Sequence, residues 1–102
     1  MPVFLLFCFV VISLHSVSGL ICYKQAGRVG ESLSSIGTCD SFPFYTTRYC
    51  VKATSGNYVI RDCDKIHACE QYGNGCVTAL YGNLYGQVCC CDSNRCNSAN
   101  TL

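Results

Sequence analysis

Cys89-Cys90-Cys91-Asp92-Ser93-Asn94-Arg95-Cys96-Asn97 places four cysteines in nine residues near the end of a chain of 102 residues. In an extended segment side chains alternate between faces, so Cys89 and Cys91 point one way and Cys90 the other. Adjacent cysteines make poor partners for each other, because the bond wants Cα atoms about 4.4–6.8 Å apart and a near-perpendicular torsion. Each of the three therefore needs a partner elsewhere. The segment reads as the place where several parts of a small fold are stapled together.

The opposite end supplies the compartment. Val3-Phe4-Leu5-Leu6-Phe7-Cys8-Phe9-Val10-Val11-Ile12 is an unbroken apolar run, followed by a polar stretch that ends in Ser18-Gly19. This reads as a secretory signal peptide over residues 1–19, cut after Gly19, with Val17 and Gly19 at the small-residue positions. The run is half of the about 20 apolar residues that a spanning helix needs. A single cysteine-rich domain, residues 20–102, is then expected outside the cell, with no membrane insertion once the leader is removed.

Eleven cysteines is an odd number, and Cys8 leaves with the leader. The rest, Cys22, Cys39, Cys50, Cys63, Cys69, Cys76, Cys89, Cys90, Cys91 and Cys96, can all pair, as an oxidising destination and this density imply. Bridges worth about 2–4 kcal/mol each would offset the small apolar core of so short a domain. The competing reading of a triple cysteine is a metal–thiolate cluster. A secreted destination disfavours free thiolates, and metal-storage peptides do not combine β-hairpins with seven tyrosines. Neither a metal nor a cofactor is expected. The charged residues sum to +1 without a long run of one sign, which argues against nucleic acid or anionic lipid as partner.

Between the ends the pattern is β throughout. Leu20-Ile21-Cys22-Tyr23 reads as a short first strand, and the glycine- and serine-rich stretch after it as a loose loop or irregular hairpin. Ser41 to Tyr45 sets two aromatics around Pro43, which disfavours a central strand. Thr46 to Thr54 and Tyr58 to Cys63 flank Gly56-Asn57 and read as a hairpin. A two-residue turn there puts Cys50 opposite Cys63 and Lys52 opposite Arg61, and like charges face to face are unfavourable. Either the register slips or the two cations fan into solvent. The Asp64–Gly75 stretch reads as a connecting loop, with a helical turn possible over Lys65–Gln71. The last hairpin is the clearest: Cys76 to Tyr81 and Leu84 to Cys89 flank Gly82-Asn83, and a two-residue turn sets Cys76 directly opposite Cys89 for a cross-strand bridge. No segment carries a sustained amphipathic helical pattern.

This arrangement resembles the three-finger domains of the lymphocyte-antigen and urokinase-receptor superfamily, which includes secreted neurotoxin-like proteins. The matching residues are Leu20-Ile21-Cys22-Tyr23 at the start and Cys90-Cys91-Asp92-Ser93-Asn94-Arg95-Cys96-Asn97 at the end. The Tyr49-Cys50-Val51-Lys52 and Arg61-Asp62-Cys63-Asp64 elements, and the triple cysteine leading to Cys96-Asn97-Ser98, look like the nematode ET module, a family of small secreted cysteine-rich proteins. The resemblance implies a small disulfide-rich all-β fold of the three-finger, snake-toxin-like kind, with antiparallel hairpins leaving a cysteine-bridged base. It implies bridges Cys22–Cys50, Cys39–Cys63, Cys69–Cys90 and Cys91–Cys96, and leaves Cys76 and Cys89, the pair that the hairpin register sets face to face. It also implies that Asn97 ties the carboxyl end into the base. Many members carry two more cysteines in the first finger, and none lies between Cys22 and Cys39 here, so that finger should be looser. Many also end in a glycolipid-anchor signal with about 10–20 apolar residues. Only Asn97 to Leu102 follows the last cysteine, so a soluble secreted protein rather than an anchored one is expected, and it is expected to be monomeric.

For catalysis the chain offers His67, with Asp64 and Glu70 three residues to either side, a spacing common on solvated loops. No enzyme is expected. Secreted phospholipases share the size and the bridges but need a histidine beside vicinal cysteines, which is missing here. Binding remains, and recognition residues belong at exposed tips of a rigid scaffold. The candidates are Lys52, Asn57, Tyr58 and Arg61 on the second hairpin and Tyr81, Asn83, Leu84 and Tyr85 on the third. Tyrosine brings stiff area with a polar end, and Lys52 with Arg61 would suit an acidic partner. The leading expectation is a ligand or modulator of a cell-surface receptor or channel. The rival is a structural or protective component of an extracellular matrix or secretion.

Overall fold

A computed structural model describes residues 19–33, 35–39 and 47–98. The segment up to Ser18 that reads as a signal peptide, the Ser41–Tyr45 segment and the end of the tail lie outside the described residues. Within them the chain runs β1 (Ile21–Tyr23), β2 (Gln25–Arg28), β3 (Ile36–Thr38), β4 (Cys50–Ser55), β5 (Tyr58–Cys63), a one-turn helix α1 (Cys69–Tyr72), β6 (Gly75–Tyr81), β7 (Leu84–Cys91) and a 3₁₀ turn at Cys96–Ser98. It is a small disulfide-rich all-β fold: β1 and β3 form one antiparallel pair, and the other strands form an antiparallel sheet in the order β2-β5-β4-β7-β6.

Both long hairpins turn through Gly-Asn. Ser55 pairs with Tyr58 and Tyr81 with Leu84, which sets Cys50 opposite Cys63 and Cys76 opposite Cys89. Gly56 and Gly82 have φ of +58° and +63° while neither asparagine is left-handed, the type II′ pattern whose first position favours glycine and whose twist matches the strands. Gly86 meets a different demand. A Cβ there would lie 1.9 Å from the Thr54 carbonyl oxygen, so β7 passes β4 at this point only without a side chain.

Period-two alternation gives the sheet two unlike faces. On one, Val51, Ala53, Tyr81, Val88 and Cys90 pack with Cys69 of α1 into the apolar core. On the other, Cys22, Cys39, Cys50 and Cys63 form a second cluster made of sulfur. The bridges are Cys22–Cys50, Cys39–Cys63, Cys69–Cys90, Cys76–Cys89 and Cys91–Cys96, with Cα separations of 5.5, 5.5, 5.8, 4.0 and 6.0 Å. The triple cysteine works as its alternation implies. Cys90 faces the apolar core and reaches Cys69, while Cys89 and Cys91 face the other way, to Cys76 and Cys96.

Two buried polar residues close the base. The Asn97 side chain accepts from Tyr23 N–H at 2.9 Å and donates to the carbonyls of Tyr23 and Val51 at 3.0 and 3.1 Å. Beside it Asn94 Oδ1 accepts from Ile21 N–H and Arg95 N–H donates to the Ile21 carbonyl, so the C-terminal turn clamps β1. The Asp64 carboxylate, fully buried, accepts from the N–H groups of Ala68 and Cys69 at 3.1 and 2.8 Å and from the Tyr81 hydroxyl at 3.0 Å. It satisfies donors at the start of α1 that the helix cannot. That is why the helical turn begins at Cys69, later than Lys65, its earliest expected position.

Candidate interaction surface

The expected loose first loop is tied to the second hairpin along β2. That strand pairs with β5, Arg28 standing opposite Tyr58 and Gln25 opposite Arg61. One residue further, Val29 N–H donates to the Asn57 carbonyl at 2.9 Å. The turn of the second hairpin is therefore not a lone fingertip but one half of a braced end.

That end presents Arg28, Val29, Asn57 and Tyr58 together. Val29 and Tyr58 are 47% and 46% exposed, and Arg28, Asn57 and Tyr58 line an open cleft of about 260 Å³. The nearest loop carboxylate, Glu31, turns back to accept from Arg28 N–H at 2.8 Å. Among the described residues no carboxylate pairs with the Arg28 guanidinium. Sequence reading named Asn57 and Tyr58 and missed Arg28 and Val29. The missing signal was the pairing of β2, since Gln-Ala-Gly-Arg carries no strand pattern of its own.

The remaining candidates divide by burial. On the third hairpin Asn83 is exposed, Tyr85 is 64% exposed, and Leu84 packs partly against the apolar core. Tyr81 is buried and bound to Asp64. Its position in a closing turn pair suggested a tip residue, but its side chain falls on the core face. Burial, then the Asp64 carboxylate beside it, raise the Tyr81 phenol above its usual range.

Lys52 and Arg61 do face each other, yet neither fans into solvent: they are 4% and 6% exposed. Arg61 donates from Nε to the Asn97 carbonyl at 2.9 Å and from a terminal nitrogen to Gln25 Oε1. Burial lowers the pKa of both, and Arg61 adds to the lowering at Lys52. The cationic patch expected of this pair is thus absent from the surface, because β2 and the C-terminal turn cover it. At the braced end the exposed cation is Arg28.

His67 lies on an exposed turn with φ of 57° and its Nδ1 is 3.1 Å from Glu70 Oε1, while Asp64 directs its carboxylate to the start of α1 and to Tyr81. The sulfurs of Cys22, Cys39 and Cys63 lie within 4.8 Å of one another, but each is bonded to another sulfur, which leaves none of the three as a thiolate ligand. No helix among the described residues is long and apolar enough to cross a membrane. No family model, curated protein or solved structure matches the chain.

Proposed function

We propose that this chain is a secreted, non-enzymatic interaction module of the three-finger kind, a ligand or modulator of a cell-surface receptor or channel, which it engages through the Arg28–Val29–Asn57–Tyr58 end. Five bridges in a small β fold suit an oxidising, extracellular setting. The observation that carries the reading is the brace between Val29 and Asn57. It fixes the backbone from which a guanidinium, a half-exposed tyrosine and an apolar side chain project side by side, which lowers the backbone part of the ordering cost of binding. Arginine and tyrosine are the residue types that dominate interface energetics, and the Arg28 guanidinium, paired with no carboxylate among the described residues, suits a carboxylate on the partner.

Saturable binding of labelled protein to cell surfaces tests this. Arg28→Ala and Tyr58→Ala should each weaken binding about tenfold or more while leaving the disulfide map and the β-sheet circular dichroism unchanged. Binding that does not saturate, or that ignores both substitutions, contradicts the reading and favours a structural component of a matrix or secretion.

A further inference from the structure

The two edges of the main sheet are finished differently. Along β2 the strand's own loop claims part of the edge: the Glu31 carboxylate accepts from Arg28 N–H and Glu31 N–H donates to the Arg28 carbonyl at 3.2 Å, while the Gln25 side chain lies 3.4 and 3.5 Å from the carbonyls of Glu31 and Ser32. Along β6 no strand among the described residues pairs with the outer side. A two-residue turn makes Tyr81 and Leu84 the hydrogen-bonded closing pair, so alternation makes Leu80/Tyr85, Thr78/Gln87 and Cys76/Cys89 the non-hydrogen-bonded pairs. The 4.0 Å Cα separation of Cys76 and Cys89 fits that closer class. The N–H and C=O groups of Cys76, Thr78 and Leu80 therefore point outward. One of these, the Leu80 carbonyl, accepts from the Tyr72 hydroxyl at 3.2 Å and keeps a second lone pair.

Edge strands are usually blunted with charge or proline. The seven residues of β6, Gly-Cys-Val-Thr-Ala-Leu-Tyr, contain neither, and Val77 and Leu80 are 37% and 54% exposed. The Cys76–Cys89 bridge pins the strand to β7, so this edge is held in place as well as open.

We propose that the outer edge of β6 pairs antiparallel with β6 of a second copy of this chain, about a two-fold axis at Thr78. The pairing sets Thr78 against Thr78 of the partner subunit, a favourable cross-strand pair. It sets each bulky residue against a small one: Tyr81 against Gly75 of the partner subunit, Leu80 against Cys76 of the partner subunit, and Val77 against Ala79 of the partner subunit. No like charges meet. The contact is isologous and uses the β6 edge of both copies, so it closes at two. The expectation of a monomer takes no account of which strand ends the sheet. The edge lies across the sheet from the Arg28–Tyr58 end, so the two proposals stand or fall separately.

Sedimentation velocity of the disulfide-intact secreted protein, from low micromolar to millimolar concentration, tests it. The expected result is a concentration-dependent doubling of mass. Thr78→Lys places two ammonium groups face to face only in the dimer, and Thr78→Pro removes an N–H that the monomer's own ladder does not use. Both variants should keep the parent disulfide map and stay monomeric where the parent is dimeric, while Arg28→Ala dimerises like the parent. A parent that is monomeric throughout overturns the proposal and leaves the edge to a strand of another protein. A dimer that survives both Thr78 substitutions overturns it too, because the contact then lies elsewhere.

Discussion

The β4–β5 and β6–β7 hairpins share a Gly-Asn turn, a two-residue loop and a cysteine pair in register, yet they meet opposite fates. In the first, two facing cations are buried. In the second, an uncharged strand is left at the edge with Leu80 and Tyr85 open to water. The backbone pattern is local and nearly identical, and the difference comes from what lies alongside. The first is flanked by β2 and β7 and covered by the C-terminal turn, while among the described residues the second is flanked only by β4. Hairpin chemistry sets register, and neighbours set burial.

Removing the cover should break the contrast most severely. Asn97→Ala strands the N–H and the carbonyl of Tyr23 and takes a second bond from the Val51 carbonyl, and buried groups left unpaired cost about 1–3 kcal/mol each. A loss of about 4 kcal/mol in urea unfolding is expected, with Lys52 and Arg61 newly exposed. Next comes the edge hairpin. Replacing Cys76 and Cys89 together by alanine opens a loop with a sequence separation of 13 residues, which should cost about 3 kcal/mol. Far-ultraviolet circular dichroism should still report the β4–β5 pairing if the two hairpins are held independently.

A smaller effect attaches to Tyr81→Phe, which removes the hydroxyl from Asp64 and should cost about 1.5–3 kcal/mol at neutral pH, as for a hydrogen bond to a charged acceptor. Its pH dependence is distinctive. Because the folded phenol titrates above the ordinary value near 10, the stabilisation is complete below about pH 10 and is lost as the pH rises through the higher folded value. Parent and variant stabilities should therefore differ by a constant amount up to about pH 10 and converge above it.

The legible parts of this molecule were those governed by short-range rules. Gly56-Asn57 and Gly82-Asn83 announce their turns, and the turns set the registers of Cys50/Cys63 and Cys76/Cys89. The role of Asn97 was expected from family resemblance, and its hydrogen bonds are of that kind. What escaped was long-range. Nothing in Gln25-Ala26-Gly27-Arg28 signals a strand that runs along β5, so the burial of Arg61 behind Gln25 was unreadable. So was the joining of Arg28 and Val29 to the turn at Asn57. Tyr81 was misplaced because turn proximity was allowed to outweigh alternation, which sends it to the same face as Val88 and Val51. His67 and its neighbouring carboxylates were close in sequence, but Asp64 turned to the helix start that only the folded chain creates.

The burial of the facing cations is the claim on which the contrast between the hairpins rests, and lysine acetylation of the folded protein read by mass spectrometry tests it directly. Lys24 and Lys65 have side chains 37% and 59% exposed, whereas Lys52 is 4% exposed. The account predicts that Lys24 and Lys65 are modified while Lys52 stays unmodified until the bridges are reduced. Modification of Lys52 at the rate of Lys65 in the bridged protein would contradict it, returning the Lys52/Arg61 pair to the surface and making the two hairpins alike.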